Sequence, residues 1–344
     1  MQRIDLTGEW QLVRAATLEA VPARVPGDTH SALLAAAKIP DPYDRLNELD
    51  VQWVGREDWI FQRTFSVGAE FLAEEQIFLS CDSLDTIADI FLNGQKIGSS
   101  DNMFCRKRFD AKPYLRRGKN EVQVRFTSAE NAARERAKAL PYPIPHTQSP
   151  VQSQHRNLIR KVQCHAGWDW GPCLMVAGIS GDISLQAFSD ARIDYVMTEQ
   201  KHGKDSCTVT VFVDCLAARA GNYELEATLG GQLVSCTVVL NKGFNRSEVE
   251  LTVSDPKLWW PNGYGPQPLY DLTVRLGSDL VSKRIGLRSL QLFTRMPWAF
   301  RWSSGSTART SSAKGRTGSP MMLFPSGRAG RAWSTCFQAP PVPT

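Results

Sequence analysis

The residues best suited to chemistry are Trp168, Asp169 and Trp170, inside the run Lys161-Val162-Gln163-Cys164-His165-Ala166-Gly167-Trp168-Asp169-Trp170-Gly171-Pro172. An indole offers a flat apolar surface for one face of a sugar ring, and a carboxylate between two indoles accepts hydrogen bonds from neighbouring hydroxyls. Gly167 and Gly171 permit a tight turn, and Pro172 keeps the segment from continuing as regular structure. The pattern suits a rigid loop at the end of a sugar pocket, with His165 placed to brace it from behind. The same residues also suit a sandwich interior, with two core aromatics and Asp169 capping a turn. The surrounding chain decides between these.

Other reactive side chains carry less. His30, His146, His155, His165 and His202 include no pair at metal or triad spacing. Cys164, His165 and Cys173 lie close in sequence, but the eight cysteines lack Cys-x-x-Cys spacing and read as reduced core thiols. No metal and no cofactor is expected. Asp28, Asp41, Asp44, Glu48, Asp50, Glu57 and Asp58 have the chemistry for acid/base work, yet turn capping and surface solvation account for them more simply. No Gly-x-Ser-x-Gly, P-loop or dinucleotide fingerprint is present.

Composition narrows the class. At 344 residues, 42% hydrophobic and 22% charged, the chain is globular and long enough for two or three domains. The net charge of +5 invites a nucleic-acid reading until it is located: residues 295–344 hold seven cations and no acid, which leaves residues 1–294 at −2. A basic patch with interleaved aromatics is missing from that body, so no nucleic-acid partner is expected. No run of about 18 apolar residues occurs and the N-terminus lacks a signal-peptide core, so the expectation is a cytoplasmic protein with no membrane partner.

The elements that must position the tryptophan run are mostly strands. Trp59–Phe65, Ile77–Leu79 and Val122–Phe126 read as strands, and Ile87–Ile97 as a hairpin folded about Asn93-Gly94, a type I′ turn signal. Two short helices are expected, Ser31–Lys38 with Ser31 or Thr29 as N-cap, and Ala129–Leu140 entered from Ser128 and stopped by Pro141. Pro141–Gln154 is a long loop that leads into the tryptophan run. From about Ala191, six or seven strands at roughly ten-residue spacing read as an immunoglobulin-like sandwich. Trp259-Trp260-Pro261-Asn262-Gly263 reads as a packed corner between its strands.

Together, Thr7-Gly8-Glu9-Trp10, Val25-Pro26-Gly27-Asp28, Ile39-Pro40-Asp41-Pro42-Tyr43, Trp53-Val54-Gly55, Asp58-Trp59, Phe91-Leu92-Asn93-Gly94, Gly167-Trp168-Asp169-Trp170-Gly171-Pro172, Trp259-Trp260-Pro261-Asn262-Gly263 and Gly286-Leu287-Arg288 resemble the N-terminal half of a β-mannosidase of glycoside hydrolase family two. The resemblance implies an all-β chain: a jelly-roll, galactose-binding-like domain over 1–190, an immunoglobulin-like sandwich over 191–294, and a tail over 295–344. It implies that Trp168, Asp169 and Trp170 touch the terminal mannose of a β-mannoside oligosaccharide. In that family two glutamates on a (β/α)₈ barrel hydrolyse the terminal β-mannoside with retention. The barrel needs about 250 residues, so it is expected to be absent here and the chain to be inactive as written. Other readings are a carbohydrate-binding module without catalysis and a fragment of another family-two enzyme such as an exo-β-glucosaminidase.

The tail has no acid, abundant Ser, Gly, Arg, Ala and Pro, and no sustained periodicity, a composition typical of disorder. A shifted reading frame is a sharper explanation. Back-translated and read two bases later, Arg301–Pro325 can spell Val-Val-Val-Arg-Val-Asn-Gly-Thr-Asp-Val-Phe-Cys-Lys-Gly-Ala-Asn-Trp-Ile-Pro-Asp-Asp-Ala-Leu-Pro, which resembles the family's entry to its barrel. The single codons of Met321 and Met322 fix most of the Asp-Ala step. A basic, flexible tail that binds an acidic partner is the other reading of these residues.

Overall fold

A computed structural model describes residues 1–145, 152–292, 300–304 and 307–311. The chain is all-β and divides into two units, Met1–Ser189 and Asp190–Thr344.

The first unit is a sandwich of two antiparallel sheets. Ala20–Val25, Gly8–Arg14, Trp59–Val67, Gly118–Phe126, Ala88–Leu92 and Gln95–Ser100 form six strands in that spatial order. Gln2–Asp5, Ile183–Phe188, Gln76–Cys81 and Lys107–Asp110 form the other sheet. Period-two alternation sets which side chains enter the core. Val122 and Val124 stand opposite Leu92 and Ile90, and Val124 also faces Phe61, so one face of three strands is continuously apolar. Phe61 and Phe126 meet edge to face with ring centres 5.7 Å apart.

Local signals act where the sequence placed them. Asn93 and Gly94 take φ of 48° and 82°, the left-handed pair required by a type I′ turn. Asn93 Nδ2 donates to the Tyr114 carbonyl and to Asn120 Oδ1, each at 2.8 Å. The second helix spans Ala129–Lys138, with Ser128 Oγ accepting from Asn131 N at 3.1 Å. The first helix departs from expectation: it spans Thr29–Ala35 and its cap is Asp28. Ser31 donates to that cap twice, through its backbone N–H at 3.0 Å and its hydroxyl at 2.7 Å, so the predicted cap lies inside the first turn.

A three-stranded miniature sheet orders Gly27–Asp28, Gly178–Ile179 and Leu84–Asp85 side by side. Gly178 is paired with both Asp28 and Asp85, and a Cβ there would lie 2.2 Å from the Gly27 carbonyl oxygen. Glycine is therefore a steric requirement of this junction.

The second unit is the expected sandwich. Ala191–His202, Ser206–Ala217 and Gly243–Ser254 form one sheet; Gln232–Leu240, Gly221–Leu229, Tyr270–Leu276 and Asp279–Ile285 form the other. Val209, Val211 and Val213 of one sheet and Leu225, Ala227, Leu229, Leu272 and Val274 of the other fill the space between. The Trp259-Trp260 corner is packed as read from sequence. Trp259 N donates to the Leu287 carbonyl at 2.9 Å and Trp260 N to the Pro266 carbonyl at 3.0 Å. Ser289–Leu292, Phe300–Ser304 and Thr307–Ser311 make a further three-stranded sheet. The remainder of the tail, and residues 146–151 of the proline-rich loop, lie outside the described residues.

Candidate functional site

The tryptophan run folds into a hairpin. Ala166–Trp168 pairs with Gly171–Cys173, with Ala166 opposite Cys173 and Trp168 opposite Gly171, so Asp169 and Trp170 form its tip. Gly167 has φ of 91°, a conformation that L side chains rarely adopt. Trp168 is 43% exposed and Trp170 72%, and Asp169 is exposed between them. These indoles are therefore not core aromatics, and an exposed Trp-Asp-Trp tip is free to meet a ligand.

One face of Trp168 is already taken. The Arg156 guanidinium lies 4.4 Å from the centre of the Trp168 ring and its Nη1 donates to the Gly167 carbonyl at 2.5 Å. These two contacts hold the indole from that side.

The root of the hairpin is buried in a small cluster of its own. Ala166 and Cys173 pack with Ala129, Ala133, Ile159 and Met175. Burial in this cluster pushes the Cys173 thiol up to about 11, which keeps it protonated. The outward backbone groups of the root also find partners. Ser153 N donates to the Ala166 carbonyl at 3.0 Å. Across the hairpin, Cys173 N donates to Glu48 Oε1 at 2.5 Å and Gln52 Nε2 donates to the Cys173 carbonyl at 2.7 Å.

Behind the run lies a buried ion pair. Lys161 and Asp85 are each 3% exposed, and Lys161 Nζ donates both to Asp85 Oδ2 and, at 2.7 Å, to the Val176 carbonyl. Thr86 Oγ1 donates to the other Asp85 oxygen. His165 Nδ1 stands 3.5 Å from Asp85 Oδ2, at the limit of hydrogen-bond reach. Burial alone would push the Asp85 carboxyl up, but its contacts with His165, Lys161 and Thr86 hold it below the usual carboxylate range. His30, buried on the helix that Asp28 caps, is driven down to about 4 by burial, with Lys161 and His165 adding to the effect and Asp28 opposing it.

Sequence reasoning singled out Trp168, Asp169, Trp170 and His165, and not the other side chains that hold the hairpin. Glu48 was grouped with solvated and turn-capping acids, although its partner lies 125 residues away. Asp85 and Lys161 carried no signal, because a buried pair separated by 76 residues leaves no local pattern. Asp28 caps a helix, as its alternative reading held. Among the described residues no helix is long and apolar enough to cross a membrane.

Comparison with known proteins places this geometry. Residues 10–181 match the glycosyl hydrolase 2 galactose-binding domain-like family, and residues 180–288 match glycosyl hydrolases family 2. "Beta-mannosidase B" of Emericella nidulans is 36% identical over 284 residues, which cover 79% of this chain and 33% of that protein. "Beta-mannosidase" of Rattus norvegicus is 30% identical over 294 residues, covering 80% and 33%. The crystal structure of the β-D-mannosidase from Dictyoglomus thermophilum superimposes with a TM-score of 0.84 at 32% identity, over 91% of this chain and 40% of that one. An exo-chitosanase of Amycolatopsis orientalis shares the fold, with a TM-score of 0.68 at 19% identity over 92% of this chain and 37% of that one. The chain spans about one third of the length of the curated relatives it matches. With both of its sandwiches matched, the chain belongs to glycosyl hydrolase family 2, of which it carries the galactose-binding-like domain and the following family sandwich.

Proposed function

We propose that this chain is the sugar-orienting N-terminal part of a β-mannosidase, acting on terminal non-reducing β-D-mannose. The exposed Trp168-Asp169-Trp170 tip on an immobilised hairpin carries the reading. Trp168 and Trp170 present apolar faces to the ring, and Asp169 accepts hydrogen bonds from adjacent hydroxyls. His165 contributes from behind, through Asp85. The names of the relatives support mannose over glucosamine, since the exo-chitosanase likeness extends to the fold alone. Hydrolysis with retention would be carried by two carboxylates on a barrel outside the two sandwiches.

A cytoplasmic setting is supported by the seven cysteines of the described residues, all free thiols. The shifted-frame account of the tail is part of the same proposal, because the alternative frame of Arg301–Pro325 reads as the family's barrel entry. Resequencing the locus past codon 344 tests it: one base that restores the frame supports it, and an unbroken frame with nothing homologous downstream refutes it.

The sugar reading is tested by titrating the chain with methyl β-D-mannoside and following the Trp168 and Trp170 indole resonances. A tip built to close another domain's pocket binds weakly alone, so the expected Kd is about 1 mM or weaker, a free energy of about −4 kcal/mol. The shifts should vanish in Trp170→Ala and be much smaller with the glucoside. Equal response to both sugars, or none at saturating mannoside, would overturn the assignment.

A further inference from the structure

The hairpin that carries the tip is too short to hold itself. Each strand has three residues and only two residue pairs join them. A lone two-stranded ribbon of this size is marginal at best in water. Its geometry must come from outside, and the contacts at Cys173 show from where.

Cys173 points its N–H and C=O away from the partner strand, as a residue at a non-hydrogen-bonded ladder position does. A third strand would normally occupy that edge. Here two side chains take its place: Glu48 Oε1 accepts from Cys173 N at 2.5 Å, and Gln52 Nε2 donates to Cys173 O at 2.7 Å. Gln52 Nε2 also donates to the Glu48 carbonyl at 2.8 Å, which locks the two supports to each other. A carboxylate on a backbone N–H is the stronger kind of hydrogen bond, and it fixes both distance and direction.

The support differs from the hairpin in where it is rooted. Val51 and Val54, which flank Gln52, are buried in the main core of the first unit, whereas Ala166 and Cys173 belong to the separate small cluster. The same segment abuts the chain just beyond the hairpin, because a Cβ on Gly55 would lie 2.7 Å from Met175 Cβ. The segment Glu48–Gly55 therefore ties the hairpin to the rigid sandwich.

We propose that Glu48, assisted by Gln52, is a positioning residue that sets the register and tilt of the Trp168-Asp169-Trp170 hairpin. Its functional meaning rests on the reading of that tip as the sugar contact. Glu48 touches no sugar in this account and acts only through Cys173.

The test is hydrogen exchange on the whole chain, read in peptides spanning residues 161–176, for Glu48→Ala and Glu48→Gln, with melting temperature recorded alongside. Glu48→Ala should speed exchange in those peptides by about tenfold, leave peptides from Trp59–Val67 and Gly118–Phe126 unchanged, and move the Trp168 indole resonance. Glu48→Gln keeps an acceptor oxygen at the same place and should restore most of the protection. Unchanged exchange at 161–176 in Glu48→Ala would overturn the proposal. So would a rise spread evenly over the sandwich, or a Gln variant no better than the Ala variant. If Glu48→Ala does not fold, Gln52→Ala removes the donor to the Cys173 and Glu48 carbonyls, leaves the Glu48 carboxylate in place, and is read in the same way. Exchange needs no sugar, so a failed mannoside titration beside a positive exchange result refutes the sugar reading and leaves the positioning role standing.

Discussion

Replacing Lys161 with methionine is the most informative single perturbation of this chain. Lys161 and Asp85 are each 3% exposed, so the substitution keeps a long side chain in place but strands a carboxylate in a dry site. Removing one partner of a buried pair costs about 3–5 kcal/mol, a large share of the 5–15 kcal/mol that holds a typical domain. For a unit of this size that lowers the melting temperature by about 10 °C. The pH dependence is more diagnostic. With Lys161 present, Asp85 titrates below its ordinary range, so its contribution persists until pH falls below about 3.9. Without Lys161 the carboxyl titrates above that value, the native state takes up a proton more readily than the unfolded one, and the deficit shrinks between pH 7 and 4. Urea denaturation at several pH values, for wild type, Lys161→Met and the double variant with Asp85→Asn, measures both effects. The double variant should regain most of the loss. A deficit under about 1 kcal/mol, or one constant with pH, would refute the idea that the pair is buried and charged.

Two other predictions concern the same region. Buried His30 titrates near 4 against an ordinary 6.5, so between these values the unfolded chain binds a proton that the native chain does not, and stability falls as pH drops through the window. The total is about 3 kcal/mol, and a His30→Asn variant should show a correspondingly flatter stability profile in denaturation at pH 4 to 7. Gly178→Ala should cost about 3 kcal/mol or more, because its Cβ would meet the Gly27 carbonyl oxygen at 2.2 Å, whereas Gly171→Ala, with nothing within 4 Å, should stay within about 0.5 kcal/mol in the same thermal melts.

What the sequence disclosed was local. Asn93-Gly94 announced its hairpin because a type I′ turn is specified by the two residues themselves. The alternation along Cys207–Val213 announced a strand, which runs over Ser206–Ala217 with one face buried. The Trp-Asp-Trp tip was visible because its three residues are contiguous. The supports were invisible for the opposite reason. Glu48 and Cys173, or Asp85 and Lys161, meet only after the chain has folded, and each residue by itself has a commonplace reading. The first helix shows the limit on a smaller scale: Asp28, Thr29 and Ser31 are all acceptable caps, and tertiary placement of Gly27–Asp28 beside Gly178 accompanies the choice of the earliest.

The small cluster beneath the hairpin has a consequence for change over time. Ala129, Ala133, Ile159, Ala166, Cys173 and Met175 form a foundation separate from the packing that holds the main sandwich together. Trp168, Asp169 and Trp170 belong to neither foundation, and all three are exposed. On the proposed reading of this tip as the sugar contact, preference among sugars can drift by trial at three neighbouring codons while the domain stays folded. On that reading, in a fold that must keep its sandwich intact, the tip is a cassette: the inexpensive place to alter which ring is recognised.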